Sequence, residues 1–519
     1  MDLIPSDMVQ TVEVNKTVTA DMDADAIGGS VNLVTRSAPN GLRISGTVAG
    51  GYSPIRDNGF VGTANVVVGN RFAKDKLGFV VSGSFNRNVF GSDNVENAWL
   101  KDENGKIFVG DNDVRVYNEM RIRRSVAATV DYKITPLHTL TLTGNYNWRD
   151  DKENRFRLRR RYRGDEEDYA TDLIYNAQGD ITGYTNGEVL RQTKGGLDNN
   201  RSENRRLEDQ RVRSLSLKGD HLFGRLKANW SVQYAKASEK RPNERYIALG
   251  RRSITVNQDI SDEKFPLLTD NTALTGYTRL SELTEQFQDQ FEKDLNAKLN
   301  FELPVSVINN QKGALKFGAR LRAKNKERDN NFFEYEPATS FGNISLLPLV
   351  DETNSGFYPG SKYVAGQFID PKYLGRLDFK NPALFEETDA PAEYLAGNYK
   401  AKETITAGFV TLKQDLTEKL SANIGVRVEH TAINYLGNIV EDEEDLKGQV
   451  RLKNDYTDVL PNINLKYRVN ANFVLKAAWT NTLARPKYYD LVPYFNLNTG
   501  DNEISVGNPE LDPVKSSNL

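Results

Sequence analysis

Three histidines (His138, His221 and His430) and no cysteine make up the chain's whole stock of imidazole and thiol. The histidines are far apart in sequence and show no ligand spacing, and the absence of cysteine excludes disulfides, thiolate catalysis and cysteine-held metals. His138 and His221 border tight turns and read as surface groups. There is no HExxH and no glycine-rich phosphate loop, and nothing pairs a nucleophile with a base. The residues therefore give no support to an enzyme, and the expectation is no cofactor and no metal. Two charged runs remain. Arg155–Arg163 (RFRLRRRYR) could attract an anionic substrate or lipopolysaccharide phosphate, because arginine pairs with phosphate in a bidentate manner. It could equally be a solvated loop or an inward-facing stripe. Glu441–Asp445 (EDEED) could gather a divalent cation or simply be solvated. Aromatic residues are the better candidates for a binding surface. Phe332, Phe333, Tyr335, Phe357, Tyr358 and Tyr363 cluster in one long connection, and Tyr488, Tyr489, Tyr494 and Phe495 in another. Their faces can stack on sugar rings or apolar ligand parts; they could also pack the loops against themselves.

The elements that must position these residues follow from composition and periodicity. The chain has 519 residues, 38 % of them hydrophobic, and a mean hydropathy of -0.59. No stretch approaches the ~18 consecutive apolar residues of a membrane helix. A membrane β-barrel stays open, because only every second strand residue faces lipid. The net charge of -3 gives no argument for nucleic acid. Alternation dominates. Leu226, Ala228, Trp230, Val232 and Tyr234 oppose Lys227, Asn229, Ser231 and Gln233, and Thr139–Trp148 and Phe473–Trp479 behave alike.

Thirteen strands are expected, near residues 42–51, 57–70, 77–88, 114–133, 138–149, 205–220, 225–238, 286–303, 314–329, 404–416, 420–436, 457–468 and 473–483. Their connections alternate between short and long, so one end carries tight turns and the other large loops. That is the layout of an outer-membrane barrel. A soluble propeller or sandwich would also alternate, but strands of ten residues exceed the usual mode of about 5–6. Tyr132, Trp148, Tyr234, Tyr435, Tyr467 and Trp479 near strand ends suit an interfacial girdle or ordinary strand preference.

Residues 4–37, IPSDMVQTVEVNKTVTADMDADAIGGSVNLVTRS, form two short strands around an acidic, turn-rich bridge. They resemble the last part of the plug domain of TonB-dependent receptors, with Gly28, Gly29, Val31, Asn32 and Thr35 in the matching segment. Gly28 and Gly29 permit backbone angles or close approach, and Asn32 is expected to be a buried, hydrogen-bonded amide. Residues 482–513 resemble the family's loop after a mid-barrel strand, through Arg485, Pro486, Asn508, Pro509, Leu511 and Pro513.

The resemblance implies an all-β transmembrane antiparallel barrel of about 22 strands with a plugged lumen. The expected division is the end of the plug at 1–38 and an incomplete barrel at 39–519. Met1–Thr11 has no export signal and the chain stops on DPVKSSNL, so both ends are expected to be truncations. What the resemblance implies functionally is import across the cell outer membrane, powered by the TonB system, with outer-membrane lipid around the wall. An oligosaccharide or other organic nutrient is preferred over a ferric siderophore. Phe332, Tyr335, Phe357, Tyr358, Tyr488 and Tyr489 are the guessed contacts. A passive porin-like or structural barrel is the alternative.

Overall fold

The computed structural model describes residues 9–55, 59–442, 445–498 and 503–519. Ile4–Met8 of the plug-like segment, Asp57 and Asn58 of an expected strand, and Glu443 and Glu444 of the acidic run lie outside them.

Strands β1 (Val9–Asn15) and β2 (Ser30–Thr35) form an antiparallel hairpin. The wall begins with β3 (Arg43–Tyr52), β4 (Phe60–Phe72), β5 (Leu77–Lys101), β6 (Ile107–Thr135) and β7 (His138–Tyr162). It continues with β8 (Ile181–Gly195), β9 (Arg206–Phe223), β10 (Leu226–Asp259), β11 (Arg279–Leu303) and β12 (Gly313–Pro337). Last come β13 (Tyr399–Asp415), β14 (Leu420–Glu441), β15 (Asp445–Arg468), β16 (Val474–Ala484) and β17 (Val514–Asn518). Each strand from β3 to β17 pairs antiparallel with the next, except around β8. There, the lower part of β7 pairs with β9 and its upper part with β8, so β8 stacks above β9 in one lane of the wall. Among the described residues the register pairs β3 with β4 alone and β17 with β16 alone, so backbone pairing does not close the barrel. No helix is long and apolar enough to cross a membrane, which says nothing of strands.

Alternation decides the two faces. On the outer face Leu142, Leu215, Leu217, Val232, Tyr234 and Leu295 are exposed, while inner-face Asn147, Asp151, Arg427 and Glu429 are buried. All thirteen expected strands are present. Several run much further than expected, with β5, β6 and β7 reaching 25, 29 and 25 residues. The long connections 89–113, 150–204 and 239–285 are largely strand. Above the apolar band both faces are covered, so polar-apolar alternation no longer marks a strand, yet the ladder continues.

The tight end is built from short turns. Between β4 and β5, Ala73, Lys74 and Asp75 all take left-handed angles (φ 51°, 57° and 64°), and Gly224 turns β9 into β10 at φ 60°. At the opposite end, residues 338–398 fold back over the outer face of the extended strands and form the largest apolar core. Phe379 stacks on Tyr335 with centroids 4.2 Å apart, and the Arg245 guanidinium covers Phe379 at 4.3 Å. Arg245 also pairs with Glu285 at 2.7 Å and donates to the Leu377 carbonyl at 2.8 Å. Arg191 holds the Ala365 and Gln367 carbonyls at 3.0 and 2.9 Å.

Candidate functional site

The segment between β1 and β2 does not hang free. Residues 18–25 lie against the inner wall, and the sequence that does this is an alternating acidic one, Asp21, Asp23 and Asp25. The wall opposite is an alternating basic one. Inward positions of β12 are Lys316, Arg320 and Arg322, each two or four residues from the next, so one strand face presents them all. Asp21 pairs with Lys316, Asp23 with Arg320, and Asp25 with Arg485 at the end of β16. Arg427 of β14 adds Asp23 at 3.6 Å, and Arg322 adds Asp25 at 3.8 Å.

The contact is backbone-deep as well as ionic. The Leu483 amide donates to the Ala24 carbonyl at 3.0 Å, and Asp25 bridges Leu483 in parallel. Arg427 donates to the Ala20 carbonyl at 3.4 Å and Asn464 to that of Val18 at 3.4 Å. Ala24, Leu460 and Leu483 form a small buried cluster beneath. Gly425 makes room, since a Cβ there would stand 2.9 Å from that of Ala20.

Arg485 is the hub. Besides Asp25 it donates to Glu429 at 2.8 Å and to the Thr431 hydroxyl at 2.9 Å, and Glu429 in turn takes Arg427 at 2.6 Å. Asp21 lies in the lumen. Burial alone would raise its carboxyl pKa, but hydrogen bonds from Lys316 and from Thr19 at 2.6 Å more than offset this, and the net shift is downward.

Above this junction the Arg155–Arg163 run occupies β7 and its end. Arg155, Arg157, Arg159 and Arg161 share the inner face, while Phe156, Leu158 and Tyr162 point into the apolar core on the other. Arg161 binds Glu188 at 2.6 Å, which also takes Arg252 at 2.9 Å and Arg279 at 3.2 Å. Arg157 reaches Asp113 at 3.6 Å, an acid shared with Arg115 and Arg159. The run is thus an inward stripe of a charged vestibule.

The loop after β16 closes over the wall from inside. Tyr488 donates to Glu403 at 3.2 Å and lies edge-on to Tyr435, with Lys324 and Lys326 each 5.7 Å from its ring. Tyr489 stacks on Tyr494 at 5.0 Å. A Cβ on Gly437 would stand 2.7 Å from Val492, so the glycine lets this loop sit on β14. Pro486 follows Arg485 into the loop. The Asn508 amide donates to the Asp490 carbonyl at 2.8 Å, and its side chain accepts from Glu510 at 3.0 Å just past Pro509.

Several expected residues are placed differently. Asn32 is exposed and donates to Glu13 at 2.9 Å, so it is hydrogen-bonded but not buried; Val31 and Thr35 are also exposed, because this hairpin is an open ribbon. Gly29 has φ +113°, and a Cβ there would meet the Asn15 carbonyl oxygen at 2.6 Å; Gly28 faces open space. Tyr335 and Phe357 are 3 % and 4 % exposed, their rings enclosed by the core over the outer face, so neither presents a stacking surface. Phe332 is half-buried and Tyr358 exposed. His138 and His221, distant in sequence, meet across β7 and β9 with Nδ1 atoms 3.3 Å apart, and Trp230 donates to His221 Nε2 at 3.1 Å. The basic ladder of β12 was missed, although its spacing, KFGARLRAKNKER, stands in the sequence.

Residues 377–519 match the model of the outer membrane protein beta-barrel family. No curated protein matches by sequence. Among solved structures, the pyoverdine outer membrane receptor FpvA from Pseudomonas aeruginosa PAO1 is similar with a TM-score of 0.51 and 11 % identity. That match covers 93 % of this chain and 52 % of FpvA. The ferric citrate transporter FecA is similar with a TM-score of 0.50 and 12 % identity, over 94 % of this chain and 51 % of FecA. The chain spans about half the length of these structures. What they share with it is the fold, that of an outer-membrane receptor barrel, and with the family match it puts the wall in the outer membrane.

Proposed function

We propose that this chain is part of a TonB-coupled importer in which residues 1–38 end the plug and 39–519 form barrel wall. The observation that carries the reading is the acidic strap, Asp21, Asp23 and Asp25, held against the inner wall by cations of β12, β14 and the residue after β16. A passive pore gains nothing from a segment ionically docked in its channel, whereas an importer needs an obstruction that is stable at rest and movable under load. The protein does no covalent chemistry in this reading. Ligand meets the vestibule lined by Arg155, Arg157 and Arg159, together with Tyr488 and Tyr489 of the inward loop and Phe332; Tyr358, on the segment that covers the outer face, is left as a contact for ligand at the loop rim. TonB then displaces the plug.

An oligosaccharide or other organic nutrient is the preferred cargo. A ferric siderophore is the second reading; the inward arginine stripe favours it, because such ligands carry negative charge that guanidinium groups can bind. A strain lacking the gene, grown on defined carbon sources and separately under iron limitation, decides between them. Loss of growth on one carbon source, reproduced by loss of TonB, supports the first. Loss of growth only under iron limitation supports the second. Uptake that continues without TonB would support the passive-channel alternative instead.

A further inference from the structure

The outer face carries a feature that the import reading does not use. Along one row of the wall, neighbours across the ladder are Tyr146, Arg213, Lys236 and Lys293, on β7, β9, β10 and β11. Three cations therefore stand directly opposite one another, an arrangement that is destabilising by itself. None of the three has an acidic partner among the ion pairs of the described residues. Lys236 and Lys293 share the ring of Phe291, at 4.9 and 4.8 Å. The row one step towards the tight-turn end is Gly144, Leu215, Tyr234 and Leu295, whose last three members are 56 %, 41 % and 42 % exposed. The row one step the other way is Trp148, Arg211, Ser238 and Phe291, with Arg211 and Arg124 both over the Trp148 ring, at 4.8 and 4.5 Å. A groove of about 270 Å³ lies among Tyr146, Arg211, Arg213, Lys236 and Lys240, with one carboxylate, Asp209, in its lining, neutralised by Arg211 at 2.7 Å and Arg201 at 3.1 Å.

The parity of β7, β9, β10 and β11 puts these cations on the lipid side, at the upper limit of the apolar band and flanked by aromatic residues. The loop-bearing end of an outer-membrane barrel is the extracellular one, so the row meets the headgroups of the outer leaflet. The geometry points to a binding site for the phosphate groups of an anionic lipid of that leaflet, its acyl chains lying on Leu215, Leu217, Val232 and Leu295. Phosphate oxygens supply the counter-charge that Arg213, Lys236 and Lys293 lack within the chain, and apolar contact below favours a lipid over free phosphate.

The full-length protein, extracted from membranes in mild detergent and stripped of lipid, tests this by titration with bis-phosphorylated lipid A, dephosphorylated lipid A and inorganic phosphate. The readouts are thermal unfolding and native mass spectrometry. Lipid A is expected to bind and stabilise, with dephosphorylated lipid A and phosphate alone far weaker. In the triple variant Arg213→Gln, Lys236→Gln, Lys293→Gln, affinity is expected to fall on the order of a hundredfold, about a factor of five for each surface cation. Heat-modifiable migration on gels checks that the variant is folded. Equal binding of dephosphorylated lipid A, full competition by inorganic phosphate at equal concentration, or unchanged affinity in a folded triple variant overturns the proposal. If the variant does not fold, the comparison of lipids on the unmodified protein decides alone.

Discussion

Arg485 donates to the Glu429 carboxylate at 2.8 Å while its other amino group pairs with Asp25 of the strap between β1 and β2. Both wall partners are buried, with side chains 9 % and 3 % exposed. Breaking a buried pair leaves a charge without compensation, at a cost of about 3–5 kcal/mol. Glu429→Gln is therefore expected to lower the unfolding temperature and to expose residues 16–29 to protease in folded barrels. Unchanged protease protection would remove Glu429 from the docking of the strap.

Acid should loosen the same junction. The Asp21 pKa is held below its ordinary value in the docked state, so its contribution is present above the ordinary carboxylate range and is lost as pH falls through the lowered value. Protease sensitivity of the strap is expected to rise below about pH 4. Asp21→Asn should show higher sensitivity at neutral pH and a smaller further rise through that window, the remainder coming from Asp23, Asp25 and Glu429 in the same junction.

The two adjoining glycines should differ sharply. At Gly29 both φ +113° and the Asn15 carbonyl oxygen, 2.6 Å from where a Cβ would stand, oppose substitution. Gly29→Ala is expected to cost at least 1–2 kcal/mol, roughly the left-handed penalty, and to weaken the β1–β2 hairpin. Gly28→Ala meets nothing within 4 Å and should be silent. Hydrogen exchange of the Val12 and Val14 amides distinguishes them.

How much of this could be read in the sequence follows from where alternation survives. Leu215, Val232 and Tyr234 alternate with polar residues because one side meets lipid, and there the strands were legible. Above that band Phe156, Leu158 and Leu249 enter a core under residues 338–398, and the same strands looked like loops. The N-terminal pair of short strands was legible on either side of its turn-rich bridge. Its docking was not, because Asp23 and Arg320 are 297 positions apart and only the folded register brings their faces together. The expected surface role of Tyr335 failed for a similar reason: its cover, Phe379, comes from a segment with no strand pattern of its own.

That cover can be tested. Tyr335 fills a buried position against Phe379 and donates to Glu387 at 2.9 Å. Tyr335→Ala is expected to cost about 3–5 kcal/mol locally and to free residues 338–398 for proteolysis while the lower barrel keeps its heat-modifiable migration. Intact protection of that loop would contradict the packing described for it.

The central claim is that the strap must leave the wall for import. Ala20 and Gly425 are placed to test it, because side-chain carbons there stand 2.9 Å apart, within a shift of about 1 Å of disulfide geometry. The chain has no cysteine of its own. In the double variant Ala20→Cys, Gly425→Cys, uptake of the nutrient that the deletion strain cannot use should stop under oxidising conditions and return with reductant. Uptake at the unmodified rate with the disulfide fully formed would contradict the account.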